Sequence, residues 1–218
     1  MHIKRTKMPK TWPVPRKGKR QRFIAVATHA STKSISLLAI LRDILKIAET
    51  RKEVKHIVNN GDVKVNNKIR KSDTFPVQTF DTISLEKSKK YYVVEIVNRK
   101  FALKEISKKE AGLKIIKILG KTILANKKIQ MNLEDGHNVL TDIEFNVGDS
   151  VIYNTILNKI EKILSLKKGA NVEIVIGKHA GKKGKVLDIE LLKRGKNYKI
   201  KLDDVEVLLP YKTILVIN

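Results

Sequence analysis

The sequence contains no cysteine, which excludes disulfide bonds, thiolate metal sites and cysteine-based catalysis. Aromatic residues make up only 5% of its 218 residues. No apolar run approaches the ~18 residues that indicate a membrane-spanning helix, and no apolar signal-peptide segment follows the basic start of the chain. We therefore expect a soluble intracellular protein that needs no oxidising compartment.

Groups of residues that carry catalysis or hold a metal ion are also missing from the pattern. The five histidines lie in different segments, without an H-E-x-x-H sequence or a helical i, i+4 pair. Adjacent carboxylates occur at Glu134-Asp135 and Asp203-Asp204, but successive side chains of a strand point to opposite faces. The sequence therefore predicts no enzyme, no metal site, no cofactor and no small-molecule substrate.

Acidic residues are scarce relative to basic ones. The chain has 46 Lys and Arg residues against 22 Asp and Glu, which gives a formal net charge of +24 at pH 7. A compact protein tolerates this self-repulsion best beside a polyanion. We therefore expect nucleic acid as the partner, and no membrane.

Residues 1–33 contain ten of the basic residues and no acidic one. Pro9, Pro13 and Pro15 interrupt this segment, so we expect a basic extension that is disordered until it binds RNA. Trp12 is predicted to stack on a base or to insert into a groove. The RNA-binding residues expected in the extension are Lys4, Arg5, Trp12, Arg16, Lys17, Lys19, Arg20 and Arg22.

The pattern of residues 34–86 predicts two short helices and a small sheet. Apolar residues recur at three- and four-residue spacing from Ser34 to Ala48, as in an amphipathic helix. Thr50 and Glu53 have the spacing of a capping box at the start of a second helix. Asn66-Asn67 indicates a hairpin turn, and the strand TISL follows it.

Short β-rich runs separated by turn signals occupy the remaining residues. In residues 87–166 they predict a small central β-barrel-like domain, in which the segment 155–164 is ambiguous between helix and strand. In residues 167–218 they predict a second small barrel. The predicted fold class is therefore α+β and β-rich, with modules at 1–33, 34–86, 87–166 and 167–218.

The segment GKHAGKKGKV at 177–186 lies between two of these apolar strands. It is not a nucleotide-binding P-loop, which requires a glycine where this chain has Lys182, and His179 occupies the second glycine position of G-x-G-x-x-G. The segment resembles the KOW motif of ribosomal and transcription proteins. The resemblance implies a tight glycine turn, further glycines that let RNA phosphate approach the backbone, and lysines that bind it. Those lysines are Lys178, Lys182, Lys183 and Lys185.

The segment ETRKEVKHIVNNGDVKVNNKIRKSDTFPV at 49–77 is similar to the S4-type RNA-binding domain. In that domain a helix and the hairpin after it present a basic face to structured RNA. The resemblance implies RNA binding by Arg51, Lys52, Lys55, Lys64, Lys68, Arg70 and Lys71.

Taken in order, four features resemble the S4e family of small-subunit ribosomal proteins of archaea and eukaryotes. They are WPVPRKG in the extension, the S4-like domain, LEDGHNVL in the middle and the KOW-type barrel. The resemblance implies a cytoplasmic, structural protein that binds small-subunit rRNA, contacts neighbouring ribosomal proteins and supports assembly of the small subunit. The short chain, rich in Ile, Lys and Asn, fits an archaeal member. The alternatives are a KOW-bearing transcription elongation factor and an RNA-modifying enzyme with an accessory S4-like domain.

Overall fold

The computed structural model describes residues 2–17, 22–29, 33–124, 128–192, 195–202 and 205–217. The chain divides into two compact units, residues 1–112 and 113–218. Both units are built mainly from antiparallel strands, and short helices occur in the first. The predicted α+β, β-rich class is therefore confirmed.

The N-terminal residues are folded into the first unit. Strand β1 (His2–Lys4) pairs antiparallel with β2 (Phe23–Ala25). Between these strands Met8 and Trp12 are buried, and the indole Nε1 of Trp12 donates a hydrogen bond to the carbonyl oxygen of Ser34 at 3.0 Å. The expectation that this extension is disordered without RNA is therefore wrong for its described residues, because its few apolar side chains join the core of the unit.

Two arginines hold the same segment together through backbone oxygens. Arg5 donates from Nη1 to the carbonyl of Pro15 at 2.7 Å, and Arg16 donates from Nη2 to the carbonyl of Met8 at 2.5 Å. Residues 1–33 contain no carboxylate, so carbonyl oxygens accept these charge-assisted hydrogen bonds instead.

The other strands of the first unit are β3 (Ser34–Ser36), β4 (Val63–Val65), β5 (Lys68–Ile69), β6 (Pro76–Gln78), β7 (Thr82–Leu85), β8 (Lys90–Val97) and β9 (Lys100–Ile106). β3 pairs with β6, so the predicted first helix begins later than its apolar spacing indicated. It consists of α1 (Leu37–Ala39) and a π-helical stretch (Ile40–Ile44). The hydroxyl of Ser36 caps it by accepting from the Ala39 N–H at 3.4 Å.

The second helix, α2 (Arg51–Asn59), begins where the sequence predicted. The Thr50 hydroxyl accepts from the Glu53 N–H at 3.3 Å, and the Glu53 carboxylate accepts from the Thr50 N–H at 3.4 Å. This reciprocal pair confirms the capping box. Val54 and Val58 lie one turn apart and are fully buried, which fixes the orientation of the helix.

A five-stranded sheet in the order β5-β4-β7-β8-β9 completes the first unit. The β4–β5 turn has both Asn66 and Asn67 at positive φ, which asparagine tolerates. The Asn66 side chain also donates to Asp81 at 2.9 Å and accepts from the Thr82 N–H at 3.0 Å. The boundary predicted between residues 86 and 87 separates paired strands, because β8 hydrogen-bonds to β7 and extends this sheet.

The first sheet of the second unit has the order β12-β11-β10-β13-β14. Its strands are β10 (Leu113–Ile123), β11 (Ile129–Leu133), β12 (Asn138–Leu140), β13 (Ser150–Asn154) and β14 (Lys159–Leu164). Ile118, Met131 and Val151 are fully buried in its core. The ambiguous segment 155–164 is a turn followed by β14, and Asn158 at φ 53° allows the chain to reverse there.

The second sheet of this unit has the order β18-β17-β16-β15-β19. Its strands are β15 (Asn171–Ile174), β16 (Lys183–Leu192), β17 (Gly195–Lys201), β18 (Glu206–Pro210) and β19 (Ile214–Val216). Val172, Ile174 and Ile200 are fully buried in its core. The GKHAGKKGKV segment therefore joins neighbouring strands β15 and β16 and continues into β16.

The burial of Trp12 gives the first prediction. Trp12→Ala removes a side chain that is 2% exposed together with its hydrogen bond to Ser34, so we expect the free energy of unfolding to fall by about 3–5 kcal/mol. Lys17→Ala, at an exposed position of the same segment, should change it by less than ~0.5 kcal/mol. Urea unfolding of both variants measures this, and equal midpoints would show that the segment does not contribute to the core.

Candidate RNA-binding surface

The glycine-lysine loop between β15 and β16 is closed by its own backbone. The Gly181 N–H donates to the Ile174 carbonyl at 2.7 Å, and the Ile174 N–H donates to the Lys182 carbonyl at 3.0 Å. Gly177 and Gly181 have φ values of 110° and 87°, which side-chain-bearing residues rarely adopt. The loop therefore presents its lysines from a defined backbone.

The lysines of this loop are exposed and have no acidic partner among the described residues. Lys183 and Lys185 are two positions apart on β16, so they lie on the same face of the strand. None of the loop lysines lies within 4.0 Å of a carboxylate in the part of the chain that the structure describes. We call Lys178, Lys182, Lys183 and Lys185 the loop lysines.

Gly184 has a structural role, whereas the resemblance to the KOW motif implied a role in RNA binding. A Cβ at this position would collide with the carbonyl oxygen of Lys201 and would lie 2.9 Å from the Ile200 side chain. The missing side chain therefore makes room for β17, and the approach of phosphate to this backbone stays a prediction.

A second set of unpaired lysines lies in the S4-like part of the first unit. Lys52 and Lys55 are three positions apart on α2, which places them on adjacent turns, and both are exposed. Lys68 is on β5 and Lys71 follows it, and both are also exposed. Within the described ranges none of the four forms an ion pair with a carboxylate. We call Lys52, Lys55, Lys68 and Lys71 the S4-like lysines.

The other predicted residues of this domain contact the protein itself. Arg51 Nε lies 2.6 Å from Asp73, and Lys64 Nζ lies 2.6 Å from Glu86. The guanidinium of Arg70 lies 4.4 Å from the ring centroid of Phe75, within cation–π range. Arg51 and Lys64 therefore carry charges that are already compensated within the protein, and RNA binding by the seven residues stays a prediction.

Of the RNA-binding residues predicted in the extension, some are exposed and others bond to the protein itself. Lys4 and Lys17 are exposed, whereas Arg5 and Arg16 bind backbone carbonyls as described above. Trp12 is only 2% exposed and cannot stack on a base, so its predicted role is wrong. Lys19 and Arg20 lie outside the described residues.

One exposed aromatic group was missed by the sequence analysis. The side chain of Phe23 is 46% exposed, the His2 ring meets it edge-on with centroids 4.9 Å apart, and the Arg22 guanidinium lies 5.9 Å from its centroid. An aromatic residue directly after basic ones in RQRF was the available signal. The pairing of β1 with β2, which brings His2 to Phe23, could not be seen in the sequence.

The LEDGHNVL segment forms a structural ion cluster at the turn between β11 and β12. Asp135 accepts from the His137 N–H at 3.1 Å and pairs with Lys114 Nζ at 3.1 Å and with His137 Nδ1 at 3.0 Å. Burial alone would raise the pKa of Asp135, but the Lys114 charge and the His137 N–H lower it below its usual value. Asp135 is therefore held as a carboxylate that fixes the turn.

Neither a metal site nor a membrane-spanning helix occurs in the described part of the chain. No three His, Asp or Glu side chains there are grouped so that they could hold a metal ion. Among the same residues, no helix is long and apolar enough to cross a membrane.

Comparisons with known proteins agree along most of the chain. The model of ribosomal family S4e matches residues 87–160, and the model of the S4 domain matches residues 37–83. The small ribosomal subunit protein eS4 of Methanosphaera stadtmanae is 36% identical over 207 residues, which cover 94% of this chain and 86% of that protein. The eS4 protein of Methanocella arvoryzae is 36% identical over 196 residues, which cover 88% of this chain and 82% of that protein.

A solved structure extends the agreement to the fold. The crystal structure of the 30S ribosomal protein S4e from Thermoplasma acidophilum matches with a TM-score of 0.75 and 26% sequence identity. The match covers 85% of this chain and 95% of that one.

The environment of Gly184 gives the second prediction. Gly184→Ala should lower the free energy of unfolding by about 1–3 kcal/mol, because the added methyl group forces β16 and β17 apart. Gly120→Ala is the control, since its Cβ would find its nearest neighbour, the Asn132 side chain, at 3.4 Å. Thermal unfolding compares the two variants. A Gly184→Ala variant as stable as the control would contradict the packing role.

Proposed function

The chain belongs to the S4e family of small-subunit ribosomal proteins, and from this membership we propose that its unpaired lysines bind small-subunit rRNA. The resemblance found in the sequence is thereby confirmed. The protein is a structural constituent of the small ribosomal subunit, like the eS4 proteins to which it is similar.

The observation that carries this proposal is the contrast between paired and unpaired cations. Arg51, Lys64 and Lys114 form ion pairs with carboxylates and so join separate segments of the chain. The loop lysines and the S4-like lysines are exposed and have no such partners in the described ranges. A lysine that is free in the protein can release a counterion when it binds phosphate, whereas a paired lysine must first lose its carboxylate.

Neighbouring ribosomal proteins are the second class of partner that we propose. Ile156 and Leu157 at the turn between β13 and β14 are 64% and 65% exposed. Adjacent apolar side chains at the end of a hairpin cannot bind phosphate, and they suit contact with another protein. We further propose that the protein acts by binding and supporting assembly, without catalysis.

The loop lysines give the third prediction. Lys182→Ala with Lys183→Ala should weaken binding of small-subunit rRNA and flatten its salt dependence. Each lost phosphate contact should reduce the slope of log K against log salt by about 0.9 on duplex, or ~0.7 on single-stranded RNA. Lys168→Ala with Lys199→Ala is matched in charge, but these lysines pair with Asp188 and Glu206. Filter binding across a salt series should show a smaller slope for the first pair only, and equal slopes for both pairs would contradict the assignment.

The S4-like lysines give the fourth prediction. Lys52→Glu with Lys55→Glu places negative charge where phosphate is expected, so binding should fall by more than two lost contacts would cause. Both positions are exposed, so folding should survive within ~0.5 kcal/mol per substitution.

The control for the charge reversal on α2 changes the net charge by the same amount, but at lysines that are paired with carboxylates. Lys87→Glu with Lys104→Glu removes cations that lie 2.6 Å from Asp62 and 3.7 Å from Glu95. It should affect rRNA binding less than the reversal on α2. If both double variants bind alike, only net charge matters and the face on α2 has no specific role.

A further inference from the structure

A small cavity lies within the first unit beside the N-terminal sheet. Its volume is about 180 Å³. β1 and β2 contribute His2, Phe23 and Ala25 to its lining, and the helical segments contribute Leu38, Arg42 and Arg51. The cavity is smaller than the ~300 Å³ at which sites for drug-sized ligands begin, so it suits one ring system rather than a whole nucleotide.

The aromatic part of the lining is exposed. Phe23 is 46% exposed although it belongs to a paired strand, the Arg22 guanidinium lies 5.9 Å from its ring centroid, and the His2 ring forms a T-shaped edge contact with it. This edge contact keeps the two rings in a fixed mutual orientation. RNA-binding proteins use such exposed rings as platforms for bases that have left the helical stack.

The two arginines of the lining act as hydrogen-bond donors whose charge is compensated. Arg42 donates from Nε and Nη2 to the two carboxylate oxygens of Asp43 at 3.0 and 2.9 Å. Arg51 donates from Nε to Asp73 at 2.6 Å. Among the described residues, Nη1 of Arg42 and both Nη atoms of Arg51 donate to no acceptor. These groups offer N–H donors without a net positive charge, a combination that favours a neutral acceptor over a phosphate.

We propose that this cavity binds a single unpaired nucleobase of the rRNA, stacked on Phe23 with its carbonyl or ring-nitrogen acceptors facing Arg42 and Arg51. The inference rests on the proposed function and adds a base contact to the phosphate contacts of the lysines. Base contacts and phosphate contacts respond differently to salt, because only the second kind releases counterions from the RNA.

The fifth prediction tests this site by substitution of Phe23. Phe23→Leu keeps an apolar side chain on β2 but removes the aromatic face, so it should weaken binding of small-subunit rRNA by roughly 5- to 100-fold. The slope of log K against log salt should stay at the wild-type value. Phe23→Trp restores an aromatic face and should bind close to wild type. Filter binding across a salt series, with urea unfolding of each variant, measures both effects.

The possible outcomes distinguish failure of the base site from failure of the proposed rRNA binding. If wild type binds rRNA and Phe23→Leu binds equally well, the base site is refuted and the lysine assignment stands. A loss of affinity accompanied by a smaller salt slope would also refute it, since the cavity would then serve phosphate. If wild type itself shows no salt-dependent rRNA binding, the proposed function fails and the base site fails with it.

A measurement on the unmodified protein covers the case in which Phe23→Leu does not fold. Ultraviolet irradiation joins stacked aromatic side chains to bases without a linker, and mass spectrometry identifies the joined peptide. In complexes of wild type with small-subunit rRNA, the peptide that contains Phe23 should carry one nucleotide. Its absence from the crosslinked peptides would overturn the proposal.

Discussion

The shortage of carboxylates governs both how this chain folds and what it binds. With 46 basic and 22 acidic residues, most cations cannot be paired within the protein. Several carboxylates form ion pairs that join separate segments of the chain, as Asp73 does with Arg51 and Asp135 with Lys114. In the acid-free N-terminal residues, Arg5 and Arg16 use backbone carbonyls instead. The loop lysines and the S4-like lysines are exposed, and we propose that an RNA phosphate backbone supplies the charge that they lack.

The fold places these lysines on elements whose geometry is fixed independently of RNA. The capping box and two fully buried valines orient α2, so its exposed lysines occupy defined positions on the surface. Backbone hydrogen bonds close the loop between β15 and β16, and positive φ values at Gly177 and Gly181 permit its turns. Little ordering is then needed when RNA binds, which favours affinity.

Local interactions were predictable from the sequence, and long-range ones were not. Thr50 with Glu53 and the turn at Asn66-Asn67 involve residues within three positions of each other, so their spacing alone identified them. Trp12 bonds to Ser34, 22 positions away, and Arg51 pairs with Asp73 across the same separation. No periodicity encodes such pairs. This is why an indole expected on RNA is in the core, and why the aromatic site at Phe23 required the structure.

We propose that lysines without an intramolecular carboxylate partner contact RNA phosphate, while lysines paired with a carboxylate hold the protein together. Lysine acetylation footprinting of the free protein and of its complex with small-subunit rRNA tests this most directly, because it reports on each lysine separately. We expect Lys52, Lys55, Lys182 and Lys183 to lose reactivity in the complex. Lys87, which is 74% exposed in its ion pair with Asp62, should keep the reactivity that it has in the free protein. Equal protection of both groups, or protection of Lys87 alone, would show that pairing with a carboxylate does not decide which lysines contact RNA.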